Sequence, residues 1–115
     1  MHNPHWSNIA LDQIARRFKL LSEPSRLRLL FALNEGEKSV GDLIAITNMA
    51  QGNVSQQLGI LADGGLIIRH RNRQQVIYRL ADSLTFELNT MVVQSLIKTG
   101  ELVVSSLSNE ELENS

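Results

Sequence analysis

The 115-residue chain has no cysteine. That excludes disulfides, thiolate metal ligands and thiol redox sensing. It also lacks any apolar run approaching the roughly 18 residues of a membrane span. Its opening, Met1-His2-Asn3-Pro4-His5-Trp6, does not follow the basic-then-apolar layout of a signal peptide. The expectation is a soluble, cytoplasmic protein with no membrane partner. Catalytic constellations are missing as well. Asp42, Asp63 and Asp82 are scattered, no histidine neighbours a nucleophile or a general-base partner, and there is no Gly-rich phosphate loop. No enzyme is expected. Charge of one sign is scarce, with a formal net charge of −1, but the distribution is uneven. Glu101, Glu110, Glu111 and Glu113 crowd the last stretch without a base. The first hundred residues carry eleven basic against eight acidic side chains. Arg69, Arg71, Arg73 and Arg79 fall within 66–80, where there is no acid. For a partner such as nucleic acid, this local patch matters more than the total.

The most informative stretch is 51–63. Val54, Leu58 and Leu61, with Ile60, recur at helical spacing. The opposite face is expected to hold uncharged hydrogen-bonding side chains: Gln51, Asn53, Ser55, Gln56 and Gln57. Asn and Gln can make paired bonds to adenine edges, and Ser adapts to several bases, so such a helix suits the major groove. The alternative is a merely solvated helix face. Gly64-Gly65 then opens an extended arm carrying Arg69, His70, Arg71 and Arg73, suited to holding phosphates. The alternative there is a solvated hairpin whose charges protect its edge. Together the two segments read as a helix-turn-helix followed by a wing.

Periodicity and punctuation predict the remaining elements. A first helix spans about 8–21, with a stripe of Leu11, Ile14, Ala15, Phe18 and Leu21. Pro24, suited to a first helical position, opens a second helix over 24–34, and Gly36 is placed to end it. A short third helix runs from Ser39 to about Ile46, and the Ser39-to-Asp42 spacing matches a capping box. Strands are predicted over 66–71 and 75–80, with Asn72-Arg73 at the hairpin tip and Asn72 tolerating positive φ. Asp82 opens a long final helix, weakened at Gly100 by about 1 kcal/mol. The predicted class is mainly α with a small β-hairpin, in the order α-α-α-α-β-β-α. We expect 1–115 to form a single winged-helix domain. It would have a flexible N-terminus over about 1–8, a dimerisation helix over about 82–107 and an acidic tail over about 108–115.

That order of elements resembles the ArsR/SmtB family of winged-helix bacterial repressors. Leu21-Ser22-Glu23-Pro24-Ser25-Arg26-Leu27-Arg28-Leu29-Leu30 is similar to the family's second-helix signature. Ser39-Val40-Gly41-Asp42-Leu43 resembles the start of its third helix, and Gln51-Gly52-Asn53-Val54-Ser55-Gln56-Gln57-Leu58 its recognition helix. Gly65-Leu66-Ile67 and Val76-Ile77-Tyr78-Arg79-Leu80 bracket the wing in the same way. The resemblance implies a homodimer, formed through the first and last helices, that binds an inverted-repeat operator in double-stranded DNA. Leu11, Leu84, Leu88, Met91, Val92 and Leu96 are the candidate interface. The density of apolar residues on the final helix points to pairing independently of the resemblance, because one face of a small monomer cannot easily bury so many.

The family's usual metal ligands are absent. Where its third-helix thiolate site has cysteines, this chain has Ser39 and Gly41. At the positions of its final-helix zinc site stand Asp82, Leu84, Ser95 and Lys98, of which only Asp82 is a ligand type. No metal and no cofactor are therefore expected. Only His2 and His5, an HxxH pair, remain as weak candidates. The resulting expectation is a DNA-binding repressor whose effector is a small molecule, a partner protein or none. The alternatives are a winged-helix protein-interaction module, or a regulator with a non-standard metal site at His2 and His5.

Overall fold

The computed structural model describes residues 6–103 and contains five helices and three strands in the order α1 (Asn8–Leu20), α2 (Pro24–Leu33), β1 (Lys38–Ser39), α3 (Val40–Thr47), α4 (Gln51–Asp63), β2 (Ile67–Asn72), β3 (Gln75–Leu80) and α5 (Leu84–Lys98). Contacts divide it into one unit ending at Asp82 and a second beginning at Ser83.

In the first unit α1, α2 and α3 each start where a side chain supplies a partner for the leading N–H groups. The Ser7 hydroxyl accepts from the Ala10 amide at 3.1 Å. Pro24 occupies the opening position of α2, where its missing N–H costs nothing, and the Glu23 carboxylate accepts from the Ser25 amide. Ser39 and Asp42 cap α3 reciprocally. The Asp42 amide donates to Ser39 Oγ at 3.1 Å, and the Ser39 amide donates to Asp42 Oδ2 at 2.9 Å. Helix α3 ends on Asn48 in the left-handed region, φ 57°, which Asn enters more readily than most side chains. Asn48-Met49-Ala50 then turns the chain into α4. No side chain caps α4, because Ala50 stands at its N-cap.

The apolar faces of α2, α3 and α4 close over a core in which Leu29, Leu43, Val54, Leu58 and Leu61 are fully buried. Leu66, Ile67 and Ile77 extend that core onto the sheet. Burying each such aliphatic side chain contributes about 1.5–3 kcal/mol. The sheet is antiparallel, in the order β1-β3-β2. Ile67 faces Leu80 and Asn72 faces Gln75, and Lys38 and Ser39 pair with Tyr78 and Ile77.

Strand β1 is absent from the sequence-predicted order, so the hairpin is part of a three-stranded sheet. With no apolar residue in Lys38–Ser39, alternation has nothing to register. Ser39 ends this strand and caps α3; it is not the first helical residue. Strand β2 starts one residue later than expected, at Ile67. The Asn72–Gln75 pairing moves the tip to Arg73-Gln74, and the positive φ falls on Arg73 (61°), not on Asn72.

In the second unit, α5 begins at Leu84 without a side-chain cap and stops at Lys98. Gly100 takes φ 81° just beyond, and the Gly100 amide donates to the Ile97 carbonyl. Helix α5 therefore ends before Gly100 and does not run through it. His2 and His5, the residues after Val103 and the acidic tail lie outside the described residues.

Candidate nucleic-acid interface

Helix α4 packs Val54, Leu58 and Leu61 inward, which turns Gln51, Gly52, Ser55, Gln56 and Gly59 to the exposed side. The five side chains read from sequence as one polar face are thereby divided. Gln51, Ser55 and Gln56 are exposed, whereas Asn53 and Gln57 are half-buried on the flank. Gln57 Oε1 accepts from Arg26 Nη1 at 3.0 Å, and Gln57 Nε2 donates to Asn53 Oδ1 at 3.2 Å. Arg26 is anchored in turn by Nε to the Leu20 carbonyl at 2.8 Å and by Nη2 to the Lys19 carbonyl at 3.3 Å. Pattern reading missed this tie between α1, α2 and α4. Its partners lie 31 residues apart, and no local spacing announces it.

A Cβ added at Gly52 or Gly59 would meet nothing within 4 Å. Neither glycine is required by packing inside the chain. Their effect is to keep the outer side of α4 low, so that a partner surface can come close to its backbone.

The hairpin carries Arg69, Arg71 and Arg73 exposed and His70 half-buried. His70 Nε2 lies 3.2 Å from Glu37 Oε1, so protonation of the imidazole would complete an ion pair there. Arg79 Nη1 reaches the Leu80 carbonyl at 3.4 Å. An uncharged hydrogen-bonding helix face with an arginine-bearing hairpin in the same compact unit has the two chemistries that duplex DNA presents, base edges and phosphates.

Comparison with known proteins agrees with this geometry. The model for "Bacterial regulatory protein, arsR family" matches residues 23–69, from the N-cap of α2 into β2. The Xylella fastidiosa biofilm growth-associated repressor is 40% identical over 77 residues, covering 67% of this chain and 68% of that one. The chain belongs to the arsR family.

Solved structures extend the likeness beyond the matched stretch. A homodimeric winged helix-turn-helix DNA-binding domain from Mycobacterium bovis, a possible ArsR-family regulator, superposes with a TM-score of 0.71 at 30% identity, covering 86% of this chain and 95% of that one. The AntR antimony-specific transcriptional repressor superposes with a TM-score of 0.75 at 26% identity, covering 89% of this chain and 93% of that one. This arsR-family chain is thus a transcriptional regulator built on the winged helix-turn-helix DNA-binding fold.

Of the positions compared with the family's metal sites, Ser39 is already engaged within the chain. Ser39 Oγ is engaged by the Asp42 amide. Leu84 is 66% exposed, and Ser95 and Lys98 lie exposed on α5. Among the described residues no three His, Asp or Glu side chains gather into a group that could hold a metal, and no helix is long and apolar enough to cross a membrane.

Proposed function

We propose that this chain is a homodimeric repressor in the cytoplasm that reads an inverted-repeat operator through α4, grips it through the β2–β3 wing and has no catalytic role. The observation that carries this reading is the exposed Gln51, Ser55 and Gln56 face of α4, flanked by Asn53 and Gln57, in one unit with Arg69, His70, Arg71 and Arg73. The amides and the hydroxyl supply sequence discrimination. The wing supplies affinity and register without sequence information.

Dimerisation is supported by what each helix leaves uncovered. Helix α1 buries none of its own residues and leaves Ile9, Leu11, Ile14 and Phe18 exposed. On α5, Leu84, Met91 and Val92 are exposed, Leu88 and Leu96 are half-buried, and only Thr85 is buried. A second copy covering these faces would remove from water an apolar area too large for a lone small protein to leave bare.

Fluorescence-anisotropy titration with duplex from the chain's own promoter region tests the proposal. Specific binding should exceed binding to a scrambled duplex by on the order of a thousandfold and fall steeply with salt. Equal, salt-insensitive binding to both duplexes would instead favour a protein-interaction module.

A further inference from the structure

A shallow cavity of about 640 Å³ opens in the first unit where the end of α1, the start of α2 and the end of α4 meet. That volume lies in the roughly 300–1,000 Å³ range of small-molecule sites. Its walls are mostly carbon, and Leu20 and Ile60 supply the apolar surface. Gly64 makes room for this arrangement, because a Cβ there would fall 2.5 Å from Leu20 Cδ1. Around the apolar floor stand Arg16, Arg17, Lys19 and Arg26, and no carboxylate lines the cavity. Capping of α1 accounts for only part of this charge. Arg26 already takes the Lys19 and Leu20 carbonyls, and Arg16 lies before the last turn. At helical spacing Leu11, Ile14 and Phe18 fall on the side of α1 away from Arg16 and Leu20, so the apolar face argued to pair and the cavity use different sides of the helix.

We propose that this cavity binds a small organic anion with an apolar body, a carboxylate above all, and that the anion acts on α4 through Arg26. The carboxylate meets the guanidinium groups, for which its planar geometry is matched, and the apolar body lies on Leu20 and Ile60. Arg26 both lines the cavity and donates to Gln57, which donates to Asn53. An anion competing for Nη1 therefore releases Gln57 Oε1 and changes how two amides of the reading helix are held. The effect on operator binding rests on the function proposed above; binding itself and its effect on α4 do not.

The test uses the full chain without DNA. Octanoate and 1-naphthoate are titrated calorimetrically against octylammonium and inorganic phosphate, and the side-chain amide signals of Asn53 and Gln57 are followed by NMR. At least one carboxylate should saturate one site per chain, with octylammonium and phosphate at least tenfold weaker, and both amides should shift along the same binding curve. Arg16→Glu with Arg17→Glu should weaken the carboxylate at least tenfold, with helicity unchanged by circular dichroism. Arg16→Lys with Arg17→Lys, the milder pair, should retain binding to within about threefold. The proposal is overturned if neither carboxylate saturates, if octylammonium or phosphate binds as well, if the charge reversal leaves affinity intact, or if the Asn53 and Gln57 amides stay still at saturation. A failure to bind operator DNA would leave all these readings in place and would count against the function alone.

Discussion

Ser39 carries more of the fold than a small polar residue usually does. It closes the ladder to Ile77, caps α3 through Oγ and donates its amide to Asp42. Ser39→Ala should therefore lower stability by about 1 kcal/mol, read as a shift in the urea midpoint. Asp42 answers to the same contact. The Ser39 amide first, then the Ser39 hydroxyl and the nearby Lys38 charge, hold its carboxyl below the ordinary carboxylate range against a small opposing effect of desolvation. A pKa lower in the folded than in the unfolded chain means that the contribution is present at neutral pH. It is lost as pH falls through the ordinary carboxylate range towards the folded value. Asp42→Asn should flatten that acid limb of a stability-against-pH curve, and an unchanged limb would show the box to be energetically idle. Across the turn, Ala50→Ser offers α4 the cap it lacks and should add about 1 kcal/mol. The Ser39–Asp42 box was legible because both partners lie within one helical turn. The Arg26–Gln57–Asn53 chain was not, because it exists only once α2 and α4 have packed.

Among the elements, α4 and the wing both trade stability for surface. Gly52 and Gly59 sit in a helix, where each glycine costs about 1 kcal/mol relative to alanine, and neither has an internal neighbour to make room for. Gly59→Ala should raise the melting temperature. Gly52→Ala should do the same while weakening operator binding, because its added methyl stands on the face shared with Gln56. Gln51→Ala and Gln56→Ala should each cost roughly 1–3 kcal/mol of discrimination between operator and scrambled duplex. Arg71→Ala should instead weaken both duplexes alike and flatten the salt slope by about one. Arg73 is the sharper case, since a non-glycine residue in the left-handed region carries a penalty of about 1–2 kcal/mol. Arg73→Gly should thus stabilise the hairpin and weaken DNA binding, two opposite signs from one change. The bounds of α4 and β3 were readable because an apolar period runs through each. Strand β1 was not, since two polar residues become a strand only by meeting Tyr78 and Ile77.

At the scale of the whole molecule, the exposed apolar side chains of α1 and α5 predict a dimer at micromolar concentration by sedimentation. Val92→Glu or Leu88→Glu should shift it to monomer or aggregate, because a carboxylate buried without a partner is costly. Zinc, cobalt and nickel should neither bind tightly by calorimetry nor change operator affinity, and a stoichiometric sub-micromolar site would overturn that expectation. The apolar surplus on the final helix was visible in the sequence; which of its side chains stay uncovered was not, because that depends on the fold around them. One joint in the first unit has a mechanical meaning. Between β1, laced to the wing strand β3, and α3, the first helix of the pair proposed to read DNA, there is no intervening residue: Ser39 ends one and Val40 begins the other. Wing and helices are therefore set like the two jaws of a fixed caliper, with no slack at the hinge. If DNA is the object gripped, any misfit between groove and phosphate must be absorbed by bending or twisting of the duplex. Operators would then be ranked by how readily they flex as well as by the bases they display.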